Sequence, residues 1–288
     1  MKALRLRIQA ILGKIIMGIQ IILFSILILF SIRVFFLDLF RITSRSMEPS
    51  IIPGDKILVN KIKYGIRFIN PVTLIKSKRN EYTRLRSWGS VKKEDIVVFY
   101  WPKYNELTDS DRTIYGDCIV KRCVALPGDT VKIDIPIAKQ NNTYNEPRDT
   151  LMFPQSKYSK RLLFPYDSTL NWTICNYGPL YVPKKGGHIK LNKENITKYK
   201  DILKYENPEI LFFDNYILIN RKKDTEYTFK NNYYFMIGDN IYHSIDSRYW
   251  GFVPEGNIIG KVILILYSTD QVNKGIHKLR WERLFNHL

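Results

Sequence analysis

The sequence predicts a mainly β fold: a single N-terminal transmembrane helix, then an antiparallel β-sheet domain with an inserted subdomain. Three observations predict it. Residues 15–32 run for 18 positions without a charge. Seven runs rich in β-branched and aromatic residues, bounded by Gly, Pro or Asp, recur from residue 56 onward. Between them, residues 136–214 become rich in Asn, Lys, Tyr and Pro and lose the strand periodicity. An aromatic content of 14%, with 19 Tyr and 15 Phe, suits the same class.

As a helix, the uncharged run covers about 27 Å, close to the hydrocarbon thickness of a bilayer. Lys2, Arg5, Arg7 and Lys14 precede it with no acidic residue. That bias keeps the N-terminus cytoplasmic and puts the chain after about residue 38 on the far side. A cleaved signal peptide and a buried core helix are the alternatives. The run exceeds the about 7–15 residues of a signal core, no small-x-small site follows it, and the charge asymmetry argues against a core helix. Arg33 to Phe40 then reads as helix end and interfacial anchor. No other apolar run reaches spanning length.

The expected strands are 56–60, 95–101, 118–124, 130–133, 215–220, 233–237 and 260–267. Pro53-Gly54-Asp55 and Pro127-Gly128-Asp129 are turns of one kind, each followed by a strand. A short helix is expected over 192–204, and a hairpin in 61–93. The organisation is then an anchor over 1–40, a first part of the core over 41–135, the inserted subdomain over 136–214 and a second part of the core over 215–288.

The net charge of +18 favours an anionic partner. Residues 56–93 alone carry 11 Lys and Arg against Glu81. This segment is either a solvated basic face or a contact for anionic lipid headgroups, which the anchor brings close. Nucleic acid is disfavoured: no binding signature accompanies the charge, and the topology takes it out of the cytoplasm. Cys118 and Cys123, five apart in one strand, cannot bridge while extended, and the four His are scattered, so neither a disulfide framework nor a structural metal is expected.

Three distant polar blocks carry the chemistry. The first is Ser44-Arg45-Ser46-Met47-Glu48-Pro49. The second is Lys121-Arg122 within the strand that leads to Leu126-Pro127-Gly128-Asp129. The third is Gly238-Asp239-Asn240 followed by Ser244-Ile245-Asp246-Ser247-Arg248-Tyr249-Trp250-Gly251. A serine hydroxyl is a poor nucleophile until a base takes its proton. No His has a companion acid in a suitable motif, although His243 in the third block leaves a Ser–His pairing open. Lysine loses its proton when buried. By strand alternation Lys121 shares an apolar, inward face with Ile119 and Cys123, while Arg122 points the other way. Taken alone, Lys121 reads rather as a side chain snorkelling from a strand edge, and it is the combination of the three blocks that turns the reading to a base.

In order and content the three blocks resemble the type I signal peptidases, membrane-bound proteases that remove signal peptides from exported proteins. The resemblance covers most of the chain and is weakest in 61–93 and 136–214. It implies a Ser/Lys endopeptidase with Ser46 as nucleophile and Lys121 as general base. Ser44, with the Ser46 N–H, would form the oxyanion hole, and Ser244 would orient Lys121 by a hydrogen bond. Asp246 and Arg248 would brace the site as an ion pair, supported by Asp239 and Asn240. Phe40, Ile42, Met47 and Val120 would line an apolar groove admitting small side chains at −1 and −3 of preprotein signal peptides. No metal or cofactor is implied, and the setting is a bacterial inner membrane with the catalytic domain outside. Ile241 and Tyr242 depart from the family's usual Arg and polar residue. The oligomeric state is left open. The alternatives are a catalytically inactive membrane-anchored paralogue that binds export substrates and a specialised peptidase for one secreted protein. A self-cleaving repressor would need a DNA-binding helix pair where the apolar run stands.

Overall fold

A computed structural model of the chain describes residues 2–65, 67–69, 82–84, 87–102, 118–135, 163–213, 216–219, 222–270 and 278–288. It opens with helix α1, Lys2–Ser31. Within it, Ile11–Ser31 is apolar and long enough to cross a membrane, with a mean hydropathy of 2.4 and none of it buried. The segment 33–40, expected as helix end and interfacial anchor, divides instead. One π-helical turn, Ile32–Phe36, closes the helix, and Leu37–Arg41 is already strand β1. Its partner decides this: β1 pairs residue for residue with β2, Asp55–Asn60, from Leu37 opposite Asn60 to Arg41 opposite Lys56. Lys61 fastens the helix end to the sheet, donating to the Arg33 carbonyl at 3.1 Å and pairing with Asp38 at 2.7 Å.

Strands β3, Arg67–Ile69, and β4, Tyr82–Arg84, pair with each other. The residues that would join them lie outside the described residues, as does much of the basic stretch. Arg84 ties this pair to the body, donating to the carbonyls of Tyr64, Glu255 and Ile258. The remaining strands in chain order are β5, Ile96–Tyr100; β6, Cys118–Ala125; β7, Thr130–Asp134; β8, Asn176–Tyr181; and β9, His188–Lys190. Next come β10, Leu211–Phe212; β11, Ile217–Ile219; β12, Lys222–Asp224; and β13, Glu226–Thr228. The series ends with β14, Tyr233–Ile237; β15, Val253–Pro254; β16, Ile258–Ser268; and β17, Asn286–His287.

The main sheet is eight-stranded and antiparallel, in the order β1-β2-β16-β5-β6-β14-β15, with β17 added beside β16. The long β16 pairs with three strands, with register shifts against β2 and β5. Gly260 sits where a Cβ would strike the Asn60 carbonyl oxygen, so only glycine lets the backbones approach. One side of the sheet buries Ile42, Met47, Ile51, Ile57, Val98 and Ile265. The other buries Val97, Phe99, Cys123, Met236 and Trp250.

A second layer is built from β7 with β8, β9 with β13, the three-stranded β10-β11-β12 and helix α2, Lys193–Glu206. It draws β7 and β11–β13 from either side of residues 136–214, so that beyond residue 214 the main sheet resumes only at Tyr233. Asn192 caps α2 by accepting from the Asn195 N–H at 2.8 Å. The layer joins the core through Tyr177, Phe235 and Phe252, which share one buried cluster with Leu203 of α2. Glu206, at the end of α2, accepts from the hydroxyls of Tyr227 and Tyr233 and from the N–H groups of Lys230 and Asn231.

Candidate active site

The first polar block is the tip of a closed turn between β1 and β2. Its base is sealed by Ile42 N–H to Asp55 O and Gly54 N–H to Ile42 O, both 2.9 Å. Met47 and Ile51, one helical turn apart and joined by a 2.9 Å bond from Ile51 N–H to Met47 O, drive into the core and hold the tip down. Pro53-Gly54-Asp55 and Pro127-Gly128-Asp129 are indeed one turn: each Gly has φ near +98°, and each Asp carboxylate accepts the N–H three residues back at 2.9 Å.

Lys121 lies in β6 opposite Val97. It is 3% exposed, and Cys123 on the same face is fully buried. Its Nζ donates to Ser46 Oγ at 2.6 Å, across 75 residues of sequence. No carboxylate pairs with it among the described residues. Burial lowers its pKa from 10.5 to about 8; the more distant Asp246 and Asp239 oppose that shift, and Arg248 adds to it. Ser44 is exposed, with its Oγ 3.4 Å from Ser46 Oγ. The Ser46 N–H donates to no group among the described residues.

The third block grips this turn from the end of β14. Asn240 donates its backbone N–H to the Ser46 carbonyl at 3.1 Å and its side-chain amide to the Arg45 carbonyl at 3.2 Å. Asp239 receives a two-pronged bond from Arg122, both arms 2.7 Å, and that bond raises the guanidinium's pKa. Arg122 also reaches the Glu94 carbonyl at 2.9 Å and the Ser50 hydroxyl at 3.2 Å. Asp246 and Arg248, both wholly buried, pair at 2.7 Å. Asp246 further accepts from the Gly238 N–H, and Arg248 donates to the carbonyls of Ile241 and Ile174. One ion pair thus joins β14, the third block and the second layer.

Ser244 departs from expectation. The hydrogen bond to Lys121 is not formed; Ser244 Oγ is buried and without a partner. It packs on Gly238, where a Cβ would strike both Ser244 Oγ and the Ser46 carbonyl oxygen. Gly238 therefore lies between the Ser244 hydroxyl and the Ser46 carbonyl, with no room for a side chain of its own.

A family model described as "Signal peptidase, peptidase S26" matches residues 15–267, a span that holds all three blocks. The chain belongs to the S26 signal peptidase family. Signal peptidase I of Buchnera aphidicola subsp. Schizaphis graminum (strain Sg) is 34% identical over 253 residues, 85% of this chain and 72% of the relative. Signal peptidase I of Buchnera aphidicola subsp. Baizongia pistaciae (strain Bp) is 33% identical over 247 residues, 83% of this chain and 73% of the relative. Signal peptidase I of Helicobacter pylori (strain J99) is 27% identical over 281 residues, 91% and 89% of the two chains. The chain is accordingly a serine endopeptidase of the signal-peptide-cleaving class, with one apolar N-terminal helix of membrane-spanning length.

In this peptidase Phe40, Ile42, Met47 and Val120 fall in one apolar cluster beside the Ser46 turn. Ile42 and Met47 are buried; Phe40 and Val120 are half-buried, with Tyr100 and Cys118 beside them. Two strand edges are left open there among the described residues. β1 is an edge of the main sheet, and β14 meets β6 only over Arg122–Ala125, leaving residues 118–121, which pair with β5 on one side, without a strand on the other. Three groups at the site carried no local sequence signal: Ser50, Arg280 and Arg283, the last two ordinary-looking arginines in a basic chain. Among the described residues no three His, Cys, Asp or Glu converge as metal ligands.

Proposed function

We propose that the peptidase hydrolyses the bond between a signal peptide and an exported protein with Ser46 as nucleophile and Lys121 as general base. The observation that carries this is the 2.6 Å contact between Lys121 Nζ and Ser46 Oγ, both groups buried. With a pKa of about 8, about one Lys121 in ten is neutral at pH 7, against under one in a thousand for a solvated lysine. The neutral amine takes the Ser46 proton along the existing contact, and Ser46 Oγ attacks the scissile carbonyl. The ammonium then protonates the leaving amine, and the neutral amine activates water to release the acyl group. Ser44 Oγ and the Ser46 N–H are the donors for the developing oxyanion; both are unspent apart from the long Ser44–Ser46 contact.

Arg122–Asp239, Asn240 and Asp246–Arg248 hold the turn, and Ser244 packs behind it on Gly238. The preprotein lies extended against the open strand edges, its −1 and −3 side chains kept small by Phe40, Ile42, Met47 and Val120. The anchor places the catalytic domain on the extracytoplasmic face of a bacterial inner membrane, with the basic 56–93 stretch near anionic headgroups. The test is cleavage of a preprotein with an Ala-x-Ala site by the detergent-solubilised chain. Ser46→Ala and Lys121→Ala should each lose at least about 1,000-fold in kcat while remaining folded. A folded Lys121→Ala that still cleaves would overturn the assignment.

A further inference from the structure

We propose that Arg283, seated on Asp55, is a positioning residue that sets the distance between Ser46 and Lys121 from behind the turn; the inference rests on the Ser/Lys reading above. Arg283 lies at the end of a short turn, Trp281–Arg283, more than two hundred residues from the groups it holds. Its Nε and Nη2 donate to the two oxygens of Asp55 at 3.0 and 2.7 Å. Nη2 also donates to the Ser50 carbonyl at 2.9 Å. Asp55 is fully buried, and the Arg283 side chain is 15% exposed.

Ser50 is where two grips meet. Its carbonyl is held by Arg283 and its hydroxyl by Arg122, the residue that follows Lys121 in β6. From Ser50 the turn is stiff back to Ser46, because Ile51 N–H bonds Met47 O and Glu48 N–H bonds Arg45 O. The base of the turn is already closed by the Ile42–Asp55 and Gly54–Ile42 backbone bonds, so Arg283 is not needed to form it. What Arg283 adds is the fixed placement of Ser50, and through it the level at which Ser46 stands over Lys121. Arg280 works beside it, donating to the Pro53 carbonyl at 2.9 Å. With Arg283 gone, the Ser50 carbonyl loses its donor, the buried Asp55 carboxylate keeps the Ile52 N–H but loses its counter-charge, and the turn is free to lift. A displacement of about 1 Å at a reacting group costs on the order of 100-fold in rate.

The experiment measures kcat, KM and the pH dependence of kcat on a preprotein with the full chain in detergent, alongside urea unfolding. Arg283→Gln should lower kcat about 10- to 100-fold with KM within about twofold. Its rising limb of kcat should also move to higher pH, because a lifted turn lets water reach Lys121. Arg283→Lys keeps a charge on Asp55 but cannot fork to Ser50, and should lose about 3- to 10-fold. A folded Arg283→Gln with wild-type kcat, or one whose deficit appears only in stability or in KM, overturns the inference. If Arg283→Gln does not fold, Arg283→Lys decides: wild-type kcat and an unmoved pH limb overturn it. Ser46→Ala, run in parallel, separates the two readings. If it is active, the Ser/Lys reading itself falls; if it is dead while both Arg283 variants behave as wild type, only the role of Arg283 falls.

Discussion

Lys121 and Arg248 are two cations buried in one corner of the molecule, near enough that Arg248 depresses the pKa of Lys121. Their pKa values move in opposite directions. For both, burial is the largest influence and favours the neutral form. At Arg248 the Asp246 carboxylate, touching at 2.7 Å, more than offsets it and raises the pKa. At Lys121 the carboxylates are only distant, and burial wins, bringing it to about 8. The same shell of protein makes a permanent brace of the cation it pairs and a base of the cation it leaves alone. The sharpest way to break this comparison is to turn one cation into the other. Lys121→Arg places a group that does not lose its proton against Ser46. Cleavage should fall by about 100- to 10,000-fold in kcat at every pH, with the variant still folded. A variant that recovers activity at high pH would mean that the base is elsewhere.

The next largest effect is on the paired cation. Asp246→Asn leaves Arg248 buried without a counter-charge, which costs about 3–5 kcal/mol in urea unfolding. The double variant Asp246→Asn with Arg248→Gln should regain part of that loss, since the buried charge is then removed altogether. If the single and double variants are equally unstable, the pair contributes shape rather than charge balance.

The unpaired cation carries the opposite signature in stability. Lys121 titrates at about 8 in the folded chain and near 10.5 when unfolded. Below pH 8 both states hold the proton and the folded state bears the full cost of a buried ammonium. Between pH 8 and 10.5 the unfolded chain binds more protons than the folded one, so this group adds stability as pH rises. A methionine carries no proton. Lys121→Met should therefore be more stable than the wild type below pH 8 by up to about 3 kcal/mol, less what the abandoned Ser46 hydroxyl costs. The gap should narrow across the window from pH 8 to 10.5. A gap independent of pH would place the titration elsewhere.

What the sequence made legible was local. Alternation in Cys118–Ala125 put Lys121 and Cys123 on one buried face, and both Pro-Gly-Asp turns took the geometry their residues dictate. Asn192 opened the helix expected over 192–204. What the sequence hid was set by distant partners. Leu37–Arg41 follows the helix directly, with no Gly or Pro to mark a break, and becomes a strand because Asp55–Asn60 offers it a matching edge. Ile217–Ile219 reads as a core strand yet pairs outside the main sheet. The Ser244 hydroxyl lies within the block that suggested its role, but it is buried against Gly238 without a partner, which no spacing encodes. Arg283 meets Asp55 across 228 residues.

The smallest effect concerns residues that support the turn indirectly. Ile241 and Tyr242 follow Asn240 in the third block. Ile241 serves Arg248 through its carbonyl, which any residue supplies. Tyr242 accepts a long 3.6 Å contact from Cys175 through its hydroxyl. His243 is placed differently. Its Nδ1 is 3.0 Å from the Asn240 side-chain oxygen, so it fixes which way that amide faces, and the same amide's nitrogen holds the Arg45 carbonyl next to Ser46. His243→Ala should therefore lower kcat about fivefold, the worth of about one net hydrogen bond of roughly 1 kcal/mol, with KM unchanged. Ile241→Ala should stay within about twofold, because it removes no bond to the turn. The order matters more than the sizes: if Ile241→Ala slows cleavage more than His243→Ala, the turn is steadied through the Ile241 segment that Arg248 holds and not through Asn240.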